Sequence, residues 1–175
     1  RPPWLNCGSM RPNASPASTT EVMDTVKGLD VDVLRSIMYA LHAGKMAAIL
    51  ADPTTRAQHV ETIRTFASDG GYDGIDIDYE QFAFADGRDT WATTRPNWVA
   101  FIEELAAALH ADGRSLTVSI PPVYDDGQTD ESGFWVYDYG AIIEHVDRIR
   151  MMTYDYSVSQ PGPIAPLEWV ESAIT

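Results

Sequence analysis

The chain has 175 residues, and 12 Lys and Arg against 26 Asp and Glu give it a net charge of −14. That length supports one domain with a real core, and 45% apolar with 22% charged residues excludes a disordered chain. With no basic run to meet a phosphate backbone and no apolar stretch near the roughly 20 residues of a membrane span, nucleic-acid binding and membrane insertion are both excluded as expectations.

Cys7 is the single cysteine, which excludes an internal disulfide framework and a cysteine-rich zinc site. The chain opens at Arg1 rather than Met and shows no export signal, so it is expected to be a processed form or a fragment. Asn13-Ala14-Ser15 fits the N-glycosylation triplet, a pattern that arises often by chance.

Residues 1–20, with Pro2, Pro3, Pro12 and Pro16, read as loop, and a short helix follows over residues 21–28. Val33 to Tyr39 is an apolar run suited to a buried strand. Asp52-Pro53 starts a helix, Val60, Ile63 and Ala67 give it an apolar face, and Gly70-Gly71 stop it. Gly74 to Glu80 alternates and reads as a strand. Pro96 opens the next helix, with Trp98, Phe101, Leu105 and Leu109 on one face and Asp112-Gly113 at its end. Leu116 to Ile120 is a strand ended by Pro121-Pro122, followed by an acidic loop around Asp125, Asp126, Asp130 and Glu131. Tyr139 to Glu144 reads as helix, Arg148 to Tyr154 as strand, and a last helix begins near Pro166. Strands alternating with helices imply parallel βαβ units.

The informative stretch is Asp73-Gly74-Ile75-Asp76-Ile77-Asp78-Tyr79-Glu80. Side chains on a strand alternate faces, so Asp76, Asp78 and Glu80 share one face and Ile75, Ile77 and Tyr79 the other. Carboxyl groups about 7 Å apart repel one another, and burial adds a desolvation cost. Both effects raise the pKa of at least one of them, as a site needing a protonated acid near neutral pH would require. A solvated face, a hard-cation site and a salt-bridge network compete with this reading. The last is disfavoured because few basic residues lie nearby in sequence.

At this motif the chain resembles glycoside hydrolase family 18, the chitinase-like enzymes. Asp73, Gly74, Asp76, Asp78 and Glu80 fill every fixed position of the family's Asp-Gly-x-Asp-x-Asp-x-Glu signature on the fourth barrel strand. Met152-Thr153-Tyr154-Asp155 matches its Met-x-Tyr-Asp marker on the sixth, about 70 residues further on. Met151 to Val170 looks like the bacterial branch of spore-cortex and cell-wall hydrolases. The resemblance spans roughly residues 33–175. It implies an α/β fold of the (β/α)8 TIM-barrel type, incomplete here, from about strand 2 or 3 to strand 6.

What the resemblance implies chemically is retaining hydrolysis of β-linked N-acetylglucosamine polymers, chitin or peptidoglycan, without an enzymic nucleophile. Glu80 is then the general acid and base, Asp78 orients the substrate's acetamide, Asp76 holds Asp78, and Tyr154 bonds the acetamide oxygen. Asp155, Asp73, Met152, Tyr124 and Trp169 are candidate substrate-binding residues. Trp135 and Tyr137 are further stacking candidates, outweighed by core or loop packing. His42, His59, His110 and His145 lack ligand spacing, and His59 and His110 are expected to be solvated or capping. No cofactor or metal is implied. The partner is the polysaccharide, and the expected location is secreted or in the cell wall.

A full barrel takes about 250 residues. Strands seven and eight find no counterpart after the sixth-strand motif, and the last would supply a cleft-floor tryptophan. Open strand edges then predict self-association, which a monodisperse monomer in light scattering would contradict. A carbohydrate-binding protein on the same scaffold is the rival reading; such relatives lose the acid, and Glu80 is present. A metal-dependent enzyme using the acid row is a third.

Overall fold

The structure is a computed structural model that describes residues 16–39, 41–122, 135–157 and 159–173. Helix α1 (Pro16–Lys27) leads into strand β1 (Leu34–Met38), then α2 (Lys45–Ala51), α3 (Pro53–Gly70) and β2 (Gly74–Asp78). A short α4 (Gln81–Phe84) and the long α5 (Arg88–Ala111) connect to β3 (Ser115–Ile120). A 3₁₀ turn at Trp135–Tyr137 and α6 (Tyr139–Ile142) lead to β4 (Arg148–Met151), and α7 (Leu167–Ala173) follows.

The four strands are parallel and lie in chain order, β1-β2-β3-β4. Each crossover carries its helices to one face, which is how the wall of a βα barrel is wound, unlike an open sheet covered on both sides. The core fills the space between the outer face of the sheet and α2, α3 and α5. Ile75, Ile77 and Tyr79 of the β2 segment meet Leu116, Val118 and Ile120 of β3 and Leu50, Ile63, Trp98, Phe101 and Leu105 of the helices, all buried.

Local chemistry sets the element ends. The Asp52 carboxylate accepts hydrogen bonds from the Thr54 and Thr55 amides at 2.9 Å, capping α3 with Pro53 in its first turn. Gly71 closes that helix at φ 59°, in the left-handed region that favours glycine. Gly74 is required for a different reason: a Cβ there would stand 2.7 Å from the Ser115 carbonyl and would also strike the Ser115 hydroxyl. The strand before the acid row is therefore pressed against β3 backbone to backbone.

Three expectations from the sequence change here. The loop assigned to residues 1–20 gives way to helix from Pro16, and residues 1–15 lie outside the described part. Pro96 lies inside α5 rather than at its start. Trp91 and Trp98, seven positions apart on one face, are both buried and both hydrogen-bonded through their indole N–H, to the Phe82 and Tyr137 carbonyls. Anchoring on both sides of the proline outweighs the backbone bond it removes. His59 is buried on α3, not solvated. It stacks 5.4 Å from Phe101, its Nε2 is 2.8 Å from the Tyr79 hydroxyl, and burial pulls its pKa down to about 4, so it is neutral at pH 7. His110 is exposed and pairs with Asp147 at 2.8 Å.

Replacing Gly74 with Ala should lower stability by about 1–3 kcal/mol in denaturant titration, because rigid backbone must move. Gly140→Ala in α6, where an added Cβ meets open space, is the control and should be neutral or slightly stabilising.

Candidate active site

The acid row stands on the inner face of the sheet, toward the C-terminal ends of the strands. Asp76 and Asp78 belong to β2, but Glu80 does not: the strand ends at Asp78, and Glu80 has helical backbone angles (φ −82°, ψ −21°) at the start of α4. The strand expected to reach Glu80 stops two residues short because α4 begins there. Its side chain nonetheless faces Asp78, with which it is electrostatically coupled and hydrogen-bonded.

The residue between the two acids holds this end of the strand. The Tyr137 hydroxyl donates to the Tyr79 carbonyl at 2.7 Å, and the Trp98 indole donates to the Tyr137 carbonyl at 2.9 Å. The Tyr79 ring lies edge-on to Tyr39 at 4.9 Å and stacked on Phe101 at 5.9 Å. Fixing both the carbonyl and the ring of Tyr79 fixes the direction in which its neighbours Asp78 and Glu80 leave the backbone.

Asp76 is 3% exposed. Its Oδ1 accepts from the Ser119 hydroxyl and its Oδ2 from the Arg150 guanidinium, both at 2.8 Å. Asp78 has less help. Its Oδ1 is buried and without a hydrogen-bond partner. Desolvation first, then the charges of Glu80 and Asp76, push its pKa up to about 6 against the opposing pull of Arg150. The raised acid that the repulsion argument called for is therefore Asp78.

Tyr154 lies just past β4, half exposed, and its hydroxyl pKa is raised by desolvation and then by Glu80, Asp78 and Asp155, which places it beside the row. The strand expected to run to Tyr154 ends at Met151, with one further tie from the Met152 amide to the Ile120 carbonyl at 3.0 Å. Met152 is buried wall. Asp155 takes φ 59°, a turn conformation that Asp tolerates better than most residues.

Several sequence candidates fall elsewhere. Asp73 sits at the opposite end of β2, where its carboxylate accepts the Val33 amide at 2.8 Å; it ties the entries of β1 and β2 together and is a strand's length from Glu80. With Lys27, Asp30 and Asp32 it lines a separate open pocket of about 590 Å³. Tyr137 is fully buried in the core. Trp135 is covered by the Arg95 guanidinium, 4.2 Å from its ring centre. Trp169 is half-buried against Tyr156, ring centres 5.3 Å apart. Tyr124 and the acidic loop after β3 lie outside the described residues. Arg150 and Ser119 escaped the sequence reading because they are 74 and 43 residues from Asp76. Their signal is positional: both fall on the inward phase of their strands. No group of three or more potential metal ligands occurs among the described residues.

A singly wound parallel sheet with carboxylates at its C-terminal edge has the architecture of a sector of a (β/α)8 barrel. Residues 21–174 match the model of Glycosyl hydrolases family 18, and the chain belongs to that family. It is 33% identical over 130 residues to a Bacillus subtilis protein described as a sporulation-specific glycosylase, YdhD, covering 72% of this chain and 28% of that protein. Against mouse chitotriosidase-1 it is 28% identical over 122 residues, 66% of this chain and 24% of the relative. The crystal structure of YdhD superposes with a TM-score of 0.75 at 27% identity, over 92% of this chain and 52% of that one. A chitinase from Chromobacterium violaceum superposes with a TM-score of 0.76 at 25% identity, over 93% and 50%. The chain thus spans about half the length of these solved structures and carries part of their barrel.

Because the Asp78 pKa is higher folded than unfolded, its contribution to stability is present at low pH and is lost as pH rises through about 6. Asp78→Asn should therefore raise the unfolding temperature by about 2–4 °C near pH 7.5. The gain should fade as pH falls toward about 4. Calorimetry across that range checks it.

Proposed function

We propose that this chain is the acid-bearing part of a glycosidase that hydrolyses β-linked N-acetylglucosamine polymers, chitin or peptidoglycan, with retention. Family membership supports a glycosidase, and the observation that carries the finer reading is the state of Asp78. It is a desolvated carboxyl with one unpartnered oxygen, able to hold a proton near neutral pH, hydrogen-bonded to Glu80.

In this reading Glu80 gives its proton to the glycosidic oxygen as the bond to the anomeric carbon breaks. The substrate's acetamide oxygen attacks that carbon and forms a cyclic oxazolinium ion. With its proton passed to Glu80, Asp78 is a carboxylate that accepts a hydrogen bond from the acetamide N–H and offsets the growing positive charge, an electrostatic contribution that needs no reorganisation because the carboxylate is already in place. Tyr154 donates to the acetamide oxygen, and Asp155 contacts the sugar. Glu80, now a carboxylate, takes a proton from water, which opens the ring at the anomeric carbon and restores the acid. No cofactor enters this scheme. Met152 is proposed to line the sugar site. Action on such polymers suits an extracellular or cell-wall location, as the chitinase relatives suggest.

Glu80→Gln keeps the shape and removes the proton. It should cut hydrolysis of chitin oligosaccharides or purified peptidoglycan by at least about 10²-fold while the protein stays folded. Proton NMR of the first product should show the starting β configuration; inversion would overturn the substrate-assisted scheme. A folded parent that binds sugar and releases no product would instead favour a lectin.

A further inference from the structure

The acid row includes a cation that the scheme above does not use. Arg150 projects from β4 on the inner face, its own register partner being Ser119 of β3, which in turn pairs with Asp78 of β2. Instead of lying level with Asp78, its guanidinium reaches one step down the sheet to Asp76. Ser119 does the same from β3. Asp76 therefore has a donor on each oxygen, and a proton on either oxygen would face an N–H or O–H that already points at it. Asp78, one step nearer the strand end, has no donor on Oδ1.

We propose that Arg150 is a positioning residue for the acid row: its ion pair holds Asp76 as an anion, so that the proton shared by the inner acids rests on Asp78 beside Glu80. The catalytic consequence rests on the glycosidase reading; the proton placement does not. Three carboxyl groups close together cannot all be charged without a counter-ion, and a guanidinium supplies one that does not titrate in the working pH range. Lysine would supply the charge but not the planar fork, and histidine would lose its charge near neutrality. The proton's place is thereby set by which carboxyl the arginine selects. Asp76 is selected because Arg150 reaches across β3 to it.

Among the described residues, the groups around Asp78 can be named element by element. Its own segment brings Asp76 and Glu80, and β1 places the non-titrating Met38 at the same level. β3 brings Ser119, β4 brings Arg150, and the segment past β4 brings Tyr154. Of the two inward-phase cations of β4, Arg148 lies level with Thr117 and is exposed, and Arg150 is the one whose charge holds the Asp78 pKa down.

The test is a carbon-13 NMR titration of aspartate carboxyls in the full-length protein without substrate, for the parent, Arg150→Gln, Arg150→Lys and Ser119→Ala, with Asp78→Asn to assign the signal. The parent should show Asp78 titrating near pH 6. Arg150→Gln should move that titration up by roughly half a unit or more, and Arg150→Lys should recover most of the shift. Ser119→Ala, which removes a neutral donor and keeps the charge, should move it less and in the same direction. Where the protein hydrolyses chitin oligosaccharides, the midpoint of the pH–rate profile should move with the titration. An unchanged Asp78 titration in folded Arg150→Gln, or an Asp76 that titrates near neutrality in the parent, overturns the proposal. If Arg150→Gln does not fold, the Lys and Ser119 variants decide it by the same shifts. A parent that titrates as expected and cleaves nothing overturns the hydrolase reading alone.

Discussion

Strand β2 has to satisfy two incompatible environments at once, and the arrangement of its neighbours follows from that. Its outward residues Ile75 and Ile77 and the following Tyr79 are buried in the helix layer. Its inward residues carry carboxylates, and one of them, Asp76, is as dry as the core. A strand alternates faces with period two, so neither demand can be met by moving the residue; each must be met by what is packed against it. The helices answer the apolar face. Ser119 and Arg150 answer the acidic one.

The acidic face is only partly compensated, and that is its chemical value. A fully paired row would be a structural salt bridge with every carboxyl ionised. Here one carboxyl is paired on both oxygens and the next is left desolvated, so the cost of burial and repulsion collects on Asp78 and appears as a raised pKa. Such a group weakens the folded state above its pKa, which is the usual relation between stability and a working site.

The rigid part of the site lies behind it. Tyr79, Tyr137, Trp98 and Phe101 form an aromatic layer joined by hydrogen bonds from Tyr137 to Tyr79 and from Trp98 to Tyr137. Buried backbone carbonyls that accept such bonds are expensive to leave unpaired. The layer thus fixes the point where β2 gives way to α4, and that point delivers Glu80. Trp98 and Tyr137 act through this scaffold; on sequence alone core packing was the favoured reading of Tyr137, with stacking on a sugar as its rival.

The sequence by itself determined what is periodic and local. The alternation from Gly74 to Glu80, the Asp52-Pro53 cap and the apolar face of α5 all follow from neighbouring residues, and the order of strands and helices was legible from them. So was the family, because its two motifs are short runs of adjacent residues. Tertiary structure decided what depends on register. Pro96 stays helical because distant partners hold Trp91 and Trp98, and His59 turns inward because Tyr79 and Phe101 lie there to receive it. Asp73 serves the entry of the sheet because β1 starts beside it. Arg150 finds Asp76 across 74 residues of chain. A side chain's phase on its strand can be counted from the sequence; the residue opposite it is set only when strands pair, and the pairing is set by burial of the whole sheet.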